Sequence, residues 1–151
     1  MAHNAVYDYC LPQMGQGNLV WVTSNTTNWC SLLGNTAPTK TTTQYTTSPA
    51  FTGELTSSGN YVVGGSQVAP TTPTVSSAVT KFAAASNTVF GSNDQTYTAY
   101  YTTLHAGSLK TTTGPLICYH DFGGGQAVSS GTFTLAWSNS GVFTLTSSAE
   151  A

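Results

Sequence analysis

The chain has 151 residues, of which only 5% are charged: three Lys, no Arg and five acids, for a formal net charge of −2. Without a basic stripe to neutralise phosphates, the composition argues against direct nucleic-acid binding, and an electrostatic membrane contact fails for the same reason. The length fits one domain, and 28 Thr and 17 Ser occupy the polar positions that Lys and Glu fill in ordinary chains, which favours strands.

Apolar runs extend for only a few residues, and Met1-Ala2-His3-Asn4-Ala5 lacks the basic region and apolar core of a signal peptide. The expectation is a soluble product made without Sec export, in a reducing compartment where Cys10, Cys30 and Cys118 stay free thiols. Their spacing matches no metal site, and Cys118 lies in a strand pattern as a small apolar filler. A near-neutral, Thr-rich surface suits a particle or a permanent assembly better than a free enzyme.

Residues 1–20 mix Tyr7, Tyr9, Leu11 and Met14 with Pro12, Gly15 and Gly17, and are expected as an arm or extension that packs on something, such as a neighbouring subunit. Residues 21–151 are expected as a single β-sandwich domain. Val20-Trp21-Val22 reads as a short strand, Asn25-Thr26-Thr27-Asn28 as a turn, and Trp29 to Leu33 as a better strand. Asn35 to Ser48 is mostly Thr with Pro38, Lys40 and Tyr45, a long surface loop. Phe51 to Leu55 is a short helical turn or an edge segment. Tyr61 to Val68 reads as two extended pieces joined at Gly64-Gly65, a bulge or bend.

Pro70 and Pro73 stop any helix. Strand-sized pieces follow at Ala78 to Ala84 and Thr88 to Phe90. Thr96 to Leu104 carries Tyr97, Ala99 and Tyr101 on one face and Tyr100 and Leu104 on the other, a strand covered on both sides. After a loop at Ala106 to Gly114, Gly123-Gly124-Gly125 reads as a flexible turn. Phe133, Leu135 and Trp137 then alternate with Thr132, Thr134 and Ala136. Ser138-Asn139-Ser140-Gly141 supplies turn residues before Phe143 and Leu145 resume the alternation, which predicts a tight hairpin whose apolar residues form the core of one sheet. Turn signals at intervals of about ten residues predict an all-β, antiparallel β-sandwich, with jelly-roll-like and Ig-like topologies both open.

The chemistry-bearing residues converge on no active site. His120-Asp121 is the one adjacent His and acid pair, but neighbouring strand residues point to opposite faces, and the remaining His3, His105, Asp8, Glu54, Asp94 and Glu150 complete no ligand set. Glu54 and Asp94 have no charged neighbours in sequence for glycosidase work. The triple glycine lacks a following Lys-Ser or Lys-Thr, and no Ser stands in Gly-X-Ser-X-Gly. No catalytic, cofactor-binding or metal-binding residue is expected, so the reading is a protein that is not an enzyme.

The order of motifs resembles small virion proteins of tailed bacteriophages, including cyanophages. The resemblance rests on Asn60-Tyr61-Val62-Val63-Gly64-Gly65, Lys81-Phe82-Ala83, Thr98-Ala99-Tyr100-Tyr101, Pro115-Leu116-Ile117 with Asp121-Phe122-Gly123, and Gly131 to Trp137 closing with Gly141 to Leu145. It covers about residues 60 to 146. The resemblance implies a capsid decoration or cement protein on the outer virion surface, with the major capsid protein and sister subunits of a trimer as partners. The alternative it implies is a tail, neck or fibre-tip module, including one that binds host carbohydrate with its Tyr-rich face or loops turned outward.

Overall fold

β-Branched and aromatic residues set the architecture. The computed structural model describes residues 4–21, 28–46, 51–56, 60–106 and 114–146. Outside them fall the expected strand end at Val22, the Asn25–Thr27 turn, the loop end at Thr47-Ser48, the loop at 107–113, His3 and Glu150. The described elements are β1 (Ala5–Val6), α1 (Cys10–Gly15), β2 (Asn28–Leu33), β3 (Gln44–Tyr45), β4 (Ser66–Gln67), β5 (Thr74–Ser76), β6 (Val79–Phe82), β7 (Thr88–Ala106), β8 (Gly114–Leu135) and β9 (Phe143–Thr146). They form an antiparallel, all-β sandwich of a six-stranded sheet ordered β1-β8-β7-β2-β4, with β3 also on β8, and a three-stranded sheet ordered β5-β6-β9.

The long β7–β8 ribbon is the backbone of the fold. The two pieces expected at Thr88 to Phe90 and Thr96 to Leu104 are one strand, interrupted where Gly91 and Asp94 take positive φ of 66° and 75°. A further irregularity separates Ala99 from Tyr101. There Tyr100 alone faces Phe122 to Gly125, so the triple glycine is a bulge inside β8 and not the turn that the sequence predicts. The bulge also corrects the expected faces. Tyr97 and Ala99 pack into the core between the sheets, whereas Tyr101 joins a second cluster with Tyr7, Leu33, Tyr45, Phe51 and Leu116. An odd number of extra residues reverses the alternation. Beyond it, Thr102 to Ala106 are buried on both faces, as the sequence predicts.

The predicted hairpin from Thr132 to Leu145 has the right parity and the wrong partner. Phe133, Leu135, Trp137, Phe143 and Leu145 all turn toward the core, but the C-terminal end of β8 pairs with β7 and β9 pairs with β6. The chain crosses from one sheet to the other between them. Gly141 makes the crossing at φ 103°, where a Cβ would stand 2.9 Å from the Phe82 carbonyl oxygen, and the Val142 amide donates to that oxygen at 2.7 Å. The five side chains therefore face one another across two sheets and are not the core of one.

Residues 4–20, within the segment expected as an arm, pack on the chain's own sandwich. Ala5 and Val6 pair with Tyr119 and Cys118, and Tyr7, Cys10 and Leu19 are buried in the chain's own core. Trp21 is likewise core without being strand, edge-on to Phe82 and Phe143. Tyr45, expected in a solvated loop, is buried through β3. Gly64 and Gly65 do form the expected bend, packed so closely on β2 that a Cβ at Gly65 would collide with the Cys30 carbonyl.

Candidate functional site

Among the described residues, two constellations bring chemistry-bearing side chains together. The first lies on the outer face of the six-stranded sheet, where β2, β3 and β7 meet the 51–56 turn and the Asn60–Gly65 bend. Glu54, held there by a bridge to Leu33, accepts hydrogen bonds from the Tyr45 hydroxyl at 2.6 Å, the Tyr61 hydroxyl at 2.9 Å and the Gly64 amide at 2.8 Å. The Tyr61 oxygen in turn accepts the Leu32 amide at 3.1 Å. Ser31 Oγ stands 3.1 Å from His105 Nε2, and the His105 ring stacks on Tyr45 with centroids 3.6 Å apart.

A Ser, a His and an acid in contact resemble hydrolase parts, yet the geometry is different. The triad acid must orient the imidazole, and Glu54 instead binds two tyrosines, a backbone amide and Ser31. Ser31 is wholly buried, and none of the described cavities reaches it. Burial, the largest influence, raises the Glu54 carboxyl above its usual range against the pull of its hydrogen bonds. Burial also lowers His105 to about 3, so its ring is neutral at ordinary pH. This is a closed, satisfied polar network that ties two loops to the sheet.

The second constellation is open. A cleft of about 530 Å³ runs between β1 and the middle of β8 on one side and the 135–144 crossing on the other. His120 and Trp137 line it with their rings 5.8 Å apart and edge-on, and the Trp137 indole N–H donates to Thr88 Oγ1 at 3.0 Å. Asp121 and Asn4 stand at its rim, where the Asp121 amide donates to Asn4 Oδ1 at 3.2 Å and Asp121 Oδ1 accepts the Gly123 amide at 2.7 Å. Cys118, two residues before His120 and so on the same strand face, brings Sγ to 3.6 Å from His120 Nε2.

That Cys–His contact is not a nucleophilic pair. Burial pushes the Cys118 thiol well above its ordinary value and the His120 imidazole below its own, so the neutral pair is favoured over thiolate and imidazolium. All three cysteines are free and buried, which fits the filler reading of Cys118. Among the described residues no group of three His, Cys, Asp or Glu could hold a metal ion.

The sequence reading weighed His120 with Asp121 and Glu54 with Asp94, and expected no site from either pair. The structure brings His120 and Asp121 to one cleft and places Glu54 elsewhere, while Asp94 is an exposed bulge residue whose carbonyl accepts Asn60 Nδ2 at 3.1 Å. Ser31, His105 and Tyr45 were missed as a group, and their wide separation along the chain leaves no motif to find. The comparisons are silent on kinship: no family model, curated protein or solved structure matches the chain.

Proposed function

We propose that the chain is a structural subunit of a tailed-phage virion, seated on the outer capsid as a decoration or cement protein rather than working as an enzyme. The observation that carries this reading is the pair of uncharged strand edges on the small sheet. β5 (Thr74, Val75, Ser76) is exposed throughout, with Val75 72% exposed, and neither β5 nor β9 contains a charged residue. Monomeric proteins usually guard such edges with Lys, Pro or a bulge, because bare edges template pairing with other chains. In an assembly a neighbour covers them. The ordered motif resemblance over residues 60 to 146 and the scarcity of surface charge support the same reading.

The partners are then the major capsid protein and sister copies in a symmetric, trimeric oligomer. Because residues 4–20 are occupied within their own fold, the strand edges take the contact role that the sequence gives to an arm. Sedimentation velocity on the purified protein checks this. An oligomer that falls to monomer in Val75→Lys, with the melting temperature unchanged, is expected. A parent that stays monomeric at about 100 μM, well above the micromolar dissociation constants of ordinary stable interfaces, would sink the edge-mediated reading. A tail, neck or fibre-tip module would use the same edges at lower copy number. Of the tyrosines a sugar-binding face could use, Tyr7, Tyr45 and Tyr61 are buried, whereas Tyr9 is exposed and Tyr97, Tyr100, Tyr101 and Tyr119 are partly exposed.

A further inference from the structure

We propose that the small sheet continues from copy to copy, the β5 edge of one chain pairing with the β9 edge of the next, so that the assembly is a head-to-tail ring. This deepens the assembly reading above and rests on it. Within one chain β5 and β9 are the outer strands of the order β5-β6-β9, and among the described residues neither pairs with a second strand. Each outer side presents backbone N–H and C=O groups ready to pair. Both strands run antiparallel to β6, hence parallel to each other, so the strand added beside β9 is parallel to it.

The two edges match residue by residue. Register rows run Thr74–Lys81–Thr144, Val75–Thr80–Leu145 and Ser76–Val79–Thr146 across the sheet, and directly opposed residues share a face. Leu145 packs on the core, so Val75 lies on the core-side face as well, yet it is 72% exposed. Continuing the rows in phase sets the neighbour's Val75 beside Leu145 on the core side, and its Thr74 and Ser76 beside Thr144 and Thr146 on the outer side. Apolar meets apolar and hydroxyl meets hydroxyl, with no charge on either edge to repel or desolvate. Phe143 and Thr144 of β9 also line the open cleft of about 530 Å³, where Leu135 and Val142 offer further apolar wall to an incoming strand. A twofold pairing of β5 with its own copy would cover Val75 and leave β9 bare. The head-to-tail contact covers both edges at once and, because the two patches differ, repeats around a ring.

Disulfide trapping on the full chain tests the contact, after sedimentation velocity has shown whether the parent associates. Thr74→Cys and Thr144→Cys change exposed residues on the outer face, so both variants should melt with the parent. Oxidised glutathione converts two apposed thiols to a disulfide and leaves as two molecules of glutathione, and remaining thiols are blocked before denaturation. The double variant is expected to give a ladder of covalent oligomers, and an equilibrated mixture of the two single variants a covalent dimer and nothing larger. Neither single variant alone should cross-link, nor should the parent, whose three cysteines are buried. The inference is overturned if the double variant associates but forms no ladder, or if Thr74→Cys alone cross-links, the mark of a twofold contact; the assembly reading survives both results. A monomeric parent overturns that reading and the inference together.

Discussion

The Glu54 network and the Trp137 cleft contain similar parts, a histidine, an acid and aromatic rings, yet they differ in closure. Around Glu54 the carboxylate is bonded by the Tyr45, Tyr61 and Ser31 hydroxyls and the Gly64 amide, and the rings are stacked out of solvent. Around Trp137 the groups stand half-buried along an open rim. A sealed polar cluster contributes stability and specifies how loops join the sheet, whereas an open one keeps its hydrogen-bonding capacity for something outside. A histidine beside an acid therefore has no fixed meaning until its access to solvent is known.

The strongest way to break the comparison is to remove the carboxylate from the sealed side. Glu54→Ala leaves the Tyr45 and Tyr61 hydroxyls and the Gly64 amide buried without their acceptor, and should cost about 3–5 kcal/mol in urea unfolding. A loss below about 1 kcal/mol, the range of a surface change, would mean that water reaches the network. On the open side, Trp137→Ala should cost less. The side chain is only half-buried, so about 2 kcal/mol is expected in place of the full large-to-small penalty of about 3–5 kcal/mol.

Acid unfolding sharpens the contrast with a smaller effect. His105 is depressed from 6.5 to about 3, so its contribution is fully present above pH 6.5 and is lost as pH falls toward 3. Glu54 is shifted the opposite way: its raised carboxyl contributes most below its unfolded value of about 4.3, and that contribution is lost as pH rises through the folded value. The two slopes oppose each other. His105→Phe keeps a ring against Tyr45 and removes one slope, so the stability difference between parent and variant should grow as pH rises from about 3 to 6.5. A pH-independent difference would show that His105 titrates normally in the fold.

Period-two alternation made the strands and their inward faces legible, down to Phe133, Leu135, Phe143 and Leu145. It could not say which strand pairs with which, because alternation constrains faces and leaves neighbours open. That is why the predicted hairpin became a crossing between sheets. Bulges hid the rest: residues 91–95 fell outside both expected strand pieces and the triple glycine read as a turn, although both are irregularities inside long strands. Of the sites, His120, Asp121 and Trp137 stood out as residue types within one stretch. The Glu54 network did not, since its hydroxyls come from Ser and Tyr residues scattered among 28 Thr, 17 Ser and eight Tyr.

Uncharged edges on the folded sandwich lead to the proposal that this is a capsid subunit, and copy number tests it most directly. On that proposal, purified virions of a phage encoding the chain, resolved on a gel and quantified against the major capsid protein, should show it as a near-stoichiometric band of hundreds of copies, as cement on every capsomer requires under capsid symmetry. A band at a few per cent of the capsid protein would contradict the decoration role and move the chain to the tail or neck.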